Sequence, residues 1–540
     1  MKPSARWLLP VLPLAALLLL VLAPLLRLAW EGWSGAPAQA FAPWRLWQDD
    51  YLRWRVLWSL AQAAITCVSA LLLGLPVAWV LARFEFWGRQ GVLRLLMLPF
   101  VVPTLVAAMG VLALWGPRGV LGHWLGVDLQ DTPWLLLYGN LFFNLCVVVR
   151  AGVDALGQVS AQRVAAARTL GATPWRAFWR VEWPVILPWL ASSLCLVFLY
   201  CFSGFGLALV LGGQRYATIE VEIYTLVAHE LKLAEASVLA LWMLLLTGGV
   251  ALAYAALEKR LATPARMDPV GRKRPCGTAQ WLALAGALGV LLFFCAAPLL
   301  AIVWRASQAS ASAWVQLLDE EALAALWNTL RFSTLALVAA TLLGLLHALA
   351  ARQSVAWRAA AFLPFVVSPV TVAFGLLLLY PQWSASLPLL LAAYALLAFP
   401  FVAKSVAAGL DSLPINLSHA ARTLGAGPWH VFWRVTLPLV RPALRRGMAF
   451  AAATALGEFA VTLFLSRPEW TTLTTLIYQR LGRPGAANLE SALVLACVLM
   501  ALALLAFMLI EWPVRDPRID AARPANYTPS KAKAAEFHHA

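Results

Sequence analysis

Glu458 is the one acidic residue set deep within an otherwise apolar stretch, Met448 to Leu465. A carboxylate is costly in hydrocarbon, so its presence there is by default functional. It would lower the cost of moving a cation or a metal through a low-dielectric passage. The alternative is a structural hydrogen bond to a neighbouring segment. Asn140 and Asn144, one helical turn apart, read as glue between helices. Arg150 and Lys404 read as side chains that snorkel towards one face. Of the seven cysteines, Cys276 lies in a basic stretch and the other six lie in apolar runs with no Cys-x-x-Cys spacing. That pattern points neither to a disulfide framework nor to a metal site. No Gly-Lys pair occurs anywhere, so the phosphate loop of ATP-binding proteins is missing. His-Glu-x-x-His is missing too, and no catalytic residue, metal ligand or cofactor motif is expected. The chain does not read as an enzyme.

The other residues with recognisable work to do lie in a loop written twice. Ala165-Ala-Ala-Arg-Thr-Leu-Gly-Ala-Thr-Pro-Trp-Arg-Ala-Phe-Trp-Arg-Val-Glu-Trp-Pro184 recurs as His419-Ala-Ala-Arg-Thr-Leu-Gly-Ala-Gly-Pro-Trp-His-Val-Phe-Trp-Arg-Val-Thr-Leu-Pro438. In each copy a helix is expected to end at a left-handed glycine, Gly171 or Gly425. A cap and a first-turn proline, Thr173-Pro174 or Gly427-Pro428, should then open a second helix. Trp175, Phe178 and Trp179 fall on one face of it, as do Trp429, Phe432 and Trp433. Taken alone, that face suits a helix lying in lipid headgroups. Two matching surfaces suit a two-fold partner instead.

The elements that position these residues are membrane spans. The 540 residues are 62% hydrophobic and 12% charged, with a mean hydropathy of +0.78. Only lipid can solvate such a chain. Runs at 7–30, 56–83, 92–116, 133–156, 185–213 and 236–258 are each long enough to cross, as are 281–304, 328–351, 360–380, 385–410, 443–466 and 489–511. The first run is too long for a secretory signal and reads as a retained span. The net charge of +16 reflects topology rather than nucleic-acid binding. Lys2, Arg6, Arg83, Arg89, Arg94, Arg163, Arg168, Lys259, Arg260, Arg266, Arg272, Arg515, Arg518, Arg523, Lys531 and Lys533 fall on one side if the spans alternate. Asp49, Asp50, Asp128, Asp131, Glu220, Glu222, Glu230, Glu235 and Asp319 to Glu321 fall on the other. The positive-inside rule then puts both loops and both termini in the cytoplasm.

The repeat reaches beyond the loop. Leu98-Pro-Phe-Val-Val102 recurs as Leu363-Pro-Phe-Val-Val367, each followed by a glycine eight residues on, Gly110 and Gly375. Ile223-Tyr224 recurs as Ile477-Tyr478, displaced by the same 254 residues (171 to 425, 223 to 477) as the loop glycines. The expected fold is therefore all-α and polytopic, about twelve spans in two parallel six-span repeats. The expected division is a first half at 1–258 with its loop at 160–184, a basic linker at 259–280, a second half at 281–511 with its loop at 415–438, and a cytoplasmic tail at 512–540.

The repeated loop resembles the EAA loop of bacterial ABC importer permeases, with the glycine, the spacing and the terminal proline matched in both copies. The leading glutamate of that motif is replaced by Ala165 and His419. The resemblance implies a type I importer permease in the inner membrane, whose loops seat as coupling helices on two copies of a separate ATPase that uses ATP and magnesium. Ala165, Ala166, Ala167, Gly171, Pro184, His419, Ala420, Ala421, Gly425 and Pro438 would form those surfaces. A periplasmic binding protein would deliver substrate to the acidic outer loops. Fused two-half permeases of this length resemble the thiamine and the ferric-iron importers. Trp47-Gln-Asp-Asp-Tyr-Leu52 and Leu211 to Tyr224 are more similar to the thiamine branch, which would give Glu458 a cationic substrate to pass. A secondary transporter is the rival of another class, but such proteins carry several buried ionisable groups.

Overall fold

The computed structural model describes residues 10–34, 47–261, 270–351, 357, 360–361, 363–384 and 386–511. Lys2, Arg6, Arg266 and the tail at 512–540, with its five basic residues, lie outside the described residues. Among the described residues the chain is helical, and the sole β pairing is an isolated bridge between Phe84 and Lys273.

Twelve helices carry the architecture. In the first half they are α1 (Val11–Ser34), α2 (Asp50–Arg83), α3 (Thr104–Trp115), α4 (Pro133–Leu156), α5 (Pro174–Phe202) and α6 (Leu233–Leu261). In the second they are α7 (Thr278–Ser307), α8 (Glu320–Ala351), α9 (Pro369–Leu379), α10 (Leu387–Asp411), α11 (428–456) and α12 (Ala486–Glu511). Among the described residues ten helices are long and apolar enough to cross a bilayer, α3 counting together with the adjoining helix Val120–Leu125. The other two differ for stated reasons: α9 has only 11 residues, and α11 contains Arg434, Arg441, Arg445 and Arg446.

Four expected spans are broken, the run at 360–380 among them, which forms Leu363–Val366 and then α9 after Ser368. Residues 92–116 form Arg89–Leu95, Leu98–Val101 and α3, interrupted near Pro99 and Pro103. The run at 185–213 stops at Phe202 and resumes as Phe205–Leu211. The run at 443–466 stops at Leu456 and resumes as Ala460–Leu465.

Among the described residues four helices contain a π-helical turn, at Leu18–Leu22, Phe178–Glu182, Leu292–Ala296 and Phe432–Thr436. Each is followed two residues later by a proline: Pro24, Pro184, Pro298 and Pro438. A proline inside a helix has no N–H to donate, and its ring clashes with the carbonyl four residues back. Widening the preceding turn relieves both problems.

The halves repeat in packing as well as sequence. A Cβ at Gly74 of α2 would lie 3.0 Å from Val148 of α4, and one at Gly344 of α8 would lie 2.6 Å from Val402 of α10. Ser59 accepts a hydrogen bond at 2.8 Å from the Ile219 N–H, opening the helix Ile219–Ala228. Thr329 does the same at 2.8 Å for Leu473 and the helix Leu473–Gly482.

Each half's first helix packs on the other half. Leu17 and Val21 of α1 bury with Phe332, Ala340 and Leu390 of the second half, and Pro24 would lie 2.8 Å from a Cβ at Gly375 of α9. Conversely, Ile302 of α7 buries with Leu105 and Val106 of α3. The Pro298 carbonyl would lie 2.8 Å from a Cβ at Gly110. The thiols of Cys146 in α4 and Cys295 in α7 meet at 3.3 Å as free cysteines.

Candidate functional site

Two features stand out as working parts: the repeated loops, and a cavity between the halves. Each loop begins with a nine-residue helix, Ala161–Thr169 or Ile415–Thr423. The first ends as Leu170, Gly171 and Ala172 donate to the carbonyls of Ala166, Arg168 and Ala167 at 3.1, 3.0 and 3.0 Å. Leu424, Gly425 and Ala426 donate to Ala420, Arg422 and Ala421 at the same distances. This crossed pairing over a left-handed residue is what the glycines supply, at φ of +83° and +84°. A Cβ at either glycine would meet nothing within 4 Å, so the requirement is for backbone conformation, not space.

The chain then turns into α5 or α11. Thr173 Oγ1 accepts from the Arg176 N–H at 3.3 Å, and Pro174 and Pro428 occupy the first turns. Trp175 and Trp179 lie 5.5 Å apart, as do Trp429 and Trp433. Ala165, Ala166, Gly171 and Pro184 are exposed, as are His419, Ala420, Gly425 and Pro438, while Ala167 and Ala421 are half-buried. Leu170 and Leu424 are 88% and 87% exposed at the turns, with Trp175 and Trp429 at 69% and 70% beside them in sequence. Two apolar surfaces of one shape are thus presented by a single chain. They differ at their roots: Arg83 at the end of α2 holds Glu182 at 2.5 Å, where the second copy has Thr436.

Between the halves lies a cavity of about 960 Å³, lined by both. Phe205 and Phe459, displaced by the same 254 residues, stack across it with centroids 5.8 Å apart. Tyr224 packs edge-on against Phe205 at 5.6 Å, and Tyr478 against Phe459 at 5.4 Å. Both phenylalanines sit at the helix breaks described above, Ser203-Gly204 and Gly457-Glu458. The aromatic cluster closes the cavity at that level. Lys404 lines it nearer the loops, its ammonium 5.8 Å from the Tyr254 ring.

Glu458 lines the cavity and is 8% exposed. Its Oε1 accepts from the Val461 N–H at 2.9 Å, so it caps the helix Ala460–Leu465. Thr474 donates to its carbonyl at 3.0 Å, and Tyr394 bonds to Thr462 alongside. Structural bonding and access to the cavity therefore coexist. Asn140 donates to Gln62 at 2.6 Å, joining α4 to α2. Asn144 donates to the Asn140 carbonyl at 2.9 Å and also lines the cavity.

Two expectations change. Glu458 is not the sole buried acid, and Glu220 and Glu222 are not on an outer surface: they are 0% and 3% exposed. Glu222 pairs with buried Arg55 at 3.2 Å and accepts from the Tyr51 hydroxyl at 2.9 Å. Their alternation with Ile219, Val221 and Ile223 hid the helix that buries them. The aromatic closure was also missed, although the constant displacement linking Phe205 to Phe459 and Tyr224 to Tyr478 was available as a signal.

The family model of the binding-protein-dependent transport system inner membrane component matches residues 70–263 and 340–519. The thiamine transport system permease protein ThiP of Escherichia coli K12 is 28% identical over 95% of this chain and 98% of its own length. Its namesake in Haemophilus influenzae Rd is 27% identical over 86% and 91%. The molybdenum transport system permease protein ModB of Escherichia coli K12 is 36% identical over 24% of this chain and 58% of its own. Two family segments, each holding one loop and contributing to one cavity, make this chain a member of the binding-protein-dependent transport system inner membrane components, a multi-pass permease subunit of an ABC importer and not itself an enzyme.

Proposed function

We propose that this permease carries thiamine or its phosphates from a periplasmic binding protein to the cytoplasm. The observation that carries the reading is similarity to thiamine permeases along almost the whole chain, both halves included. Carboxylate at the closed end of the cavity suits a cationic cargo.

Two copies of an ATPase subunit dock on the two loops, one on Gly171 and its neighbours and one on Gly425 and its neighbours. A pair of like surfaces asks for a pair of like partners. Ala165 and His419 leave that docking to shape rather than to an acidic contact. The loops and both termini face the cytoplasm, and the halves at 1–258 and 281–511 move as the working units about the linker at 259–280. The binding protein meets the exposed acids of the opposite face, among them Asp128, Asp131, Glu230 and Glu235. Closure of the ATPases on ATP draws the loops together and rocks the halves. Phe205 then parts from Phe459, and the cavity opens outward. Hydrolysis resets it. ATP and magnesium are used by the partner, and this chain holds no cofactor.

Deleting the chain in a strain unable to make thiamine should create a demand for external thiamine, with ferric-iron uptake untouched. Glu458→Gln should lower uptake of radiolabelled thiamine more than it lowers co-purification with the ATPase. Abolished ferric-iron uptake with intact thiamine accumulation would replace this reading with the iron one.

A further inference from the structure

Pseudo-symmetry at the closed end of the cavity is kept in its aromatic residues and broken in polar groups beside them. The aromatic residues repeat, Phe205 with Phe459 and Tyr224 with Tyr478. Glu458, however, corresponds to Gly204 at the same displacement, and Asn144 corresponds to Ala398. Ser203 likewise corresponds to Gly457, so the first half supplies Asn144 and Ser203 where the second supplies Glu458.

Asn144 is 3% exposed and lines the cavity, and its buried Oδ1 has no hydrogen-bond partner among the described residues. Its Nδ2 is committed to the Asn140 carbonyl at 2.9 Å and to the Cys201 sulfur at 3.2 Å. A carbonyl oxygen cannot accept from another carbonyl, so the amide is oriented and Oδ1 is the end left over. Cys201 lies two residues before Ser203, so this bond ties Asn144 of α4 to α5 just short of the break that leads to Phe205. A buried acceptor without a donor is unfavourable and gains on meeting one. Glu458, with one oxygen on the Val461 N–H, has lone pairs to spare.

We propose that this end of the cavity is a transient binding station for a flat heteroaromatic cation bearing N–H donors. The cation lies against the Phe205 and Phe459 rings, its charge faces Glu458, and an N–H donates to Asn144 Oδ1. Ring faces attract cations, and a cavity of this size holds a small organic ligand. Lys404, the one base lining the cavity among the described residues, follows Tyr394 by ten residues of α10, roughly 15 Å along the helix. The repulsive charge is therefore held at the far end. The station rests on the thiamine reading above and adds where in this chain the cargo is held.

The test uses the full permease–ATPase complex without binding protein, with radiolabelled thiamine in equilibrium dialysis and with uptake measured in parallel. Wild type should bind thiamine, and Asn144→Leu and Glu458→Gln should each weaken binding roughly tenfold, the worth of one lost hydrogen bond or charge contact. Asn144→Asp, which keeps shape and acceptor, should retain binding; it also decides the matter if the leucine variant does not assemble. Wild-type affinity in Glu458→Gln together with loss in Asn144→Asp overturns the station, as does transport by a complex that binds no thiamine, and both leave the thiamine reading standing. Wild type that transports no thiamine overturns the reading and the station together.

Discussion

Two glycines of the second half show how one residue type serves two physical needs. At Gly344 the need is space, because a Cβ would lie 2.6 Å from Val402. At Gly425 the need is a left-handed backbone, with open space around it. Gly344→Val should therefore overpack the contact of α8 with α10 and cost about 1–3 kcal/mol, read as a lower melting temperature of purified protein. Gly171→Val with Gly425→Val should strain each turn by about 1 kcal/mol or more. The double variant should still insert but lose ATPase association or transport. Normal transport-coupled hydrolysis in it would leave the docking role of the loops without support. The Gly344 requirement is not visible in the sequence, because it depends on a residue 58 positions away (344 to 402). The Gly425 requirement is visible, because its hydrogen bonds close within six residues.

At the scale of elements, each widened turn precedes a proline, although Pro76, Pro188, Pro400 and Pro442 sit inside helices with no such turn before them. Pro438 removes one donor from the ladder, and the turn at Phe432–Thr436 absorbs the fault. Pro438→Ala restores the donor, and closing the π-turn to an α-turn would rotate the loop against α11 by about 100°. We expect weaker co-purification with the ATPase and a changed pattern of disulfide cross-links from engineered loop cysteines. An unchanged pattern would show that the turn is held by tertiary packing rather than by the proline. The Phe205 and Phe459 breaks follow a different logic. Ser203-Gly204 and Gly457-Glu458 interrupt apolar runs that hydropathy alone reads as continuous. Side chains from other helices, Thr474 among them, complete the bonding there.

For the whole molecule, the exchange of first helices makes the halves interdependent. Without α1, the α9 face around Gly375 and the cluster holding Phe332 and Leu390 would lose Leu17, Val21 and Pro24. Deleting residues 1–34 should thus destabilise the second half, read as faster proteolysis within α8 to α10. Equal protection of α8 to α10 would show that the crossing contributes little. Orientation has its own test: a reporter fused after Arg523 should be active in the cytoplasm. A periplasmic reporter working there would overturn the placement of both loops.

The sequence by itself determined the membrane class, the two-fold repeat and the glycine-closed loops, because each depends on composition or on groups within one or two helical turns. Hydropathy could not say that α1 crosses to the second half, that Glu220 and Glu222 are inside, or that Phe205 meets Phe459. In lipid an apolar face is solvated whether or not another helix covers it, so apolarity does not name a partner. Close packing between segments distant in sequence made those choices. It also left Asn144, which lines the cavity, with a buried acceptor that has no partner among the described residues.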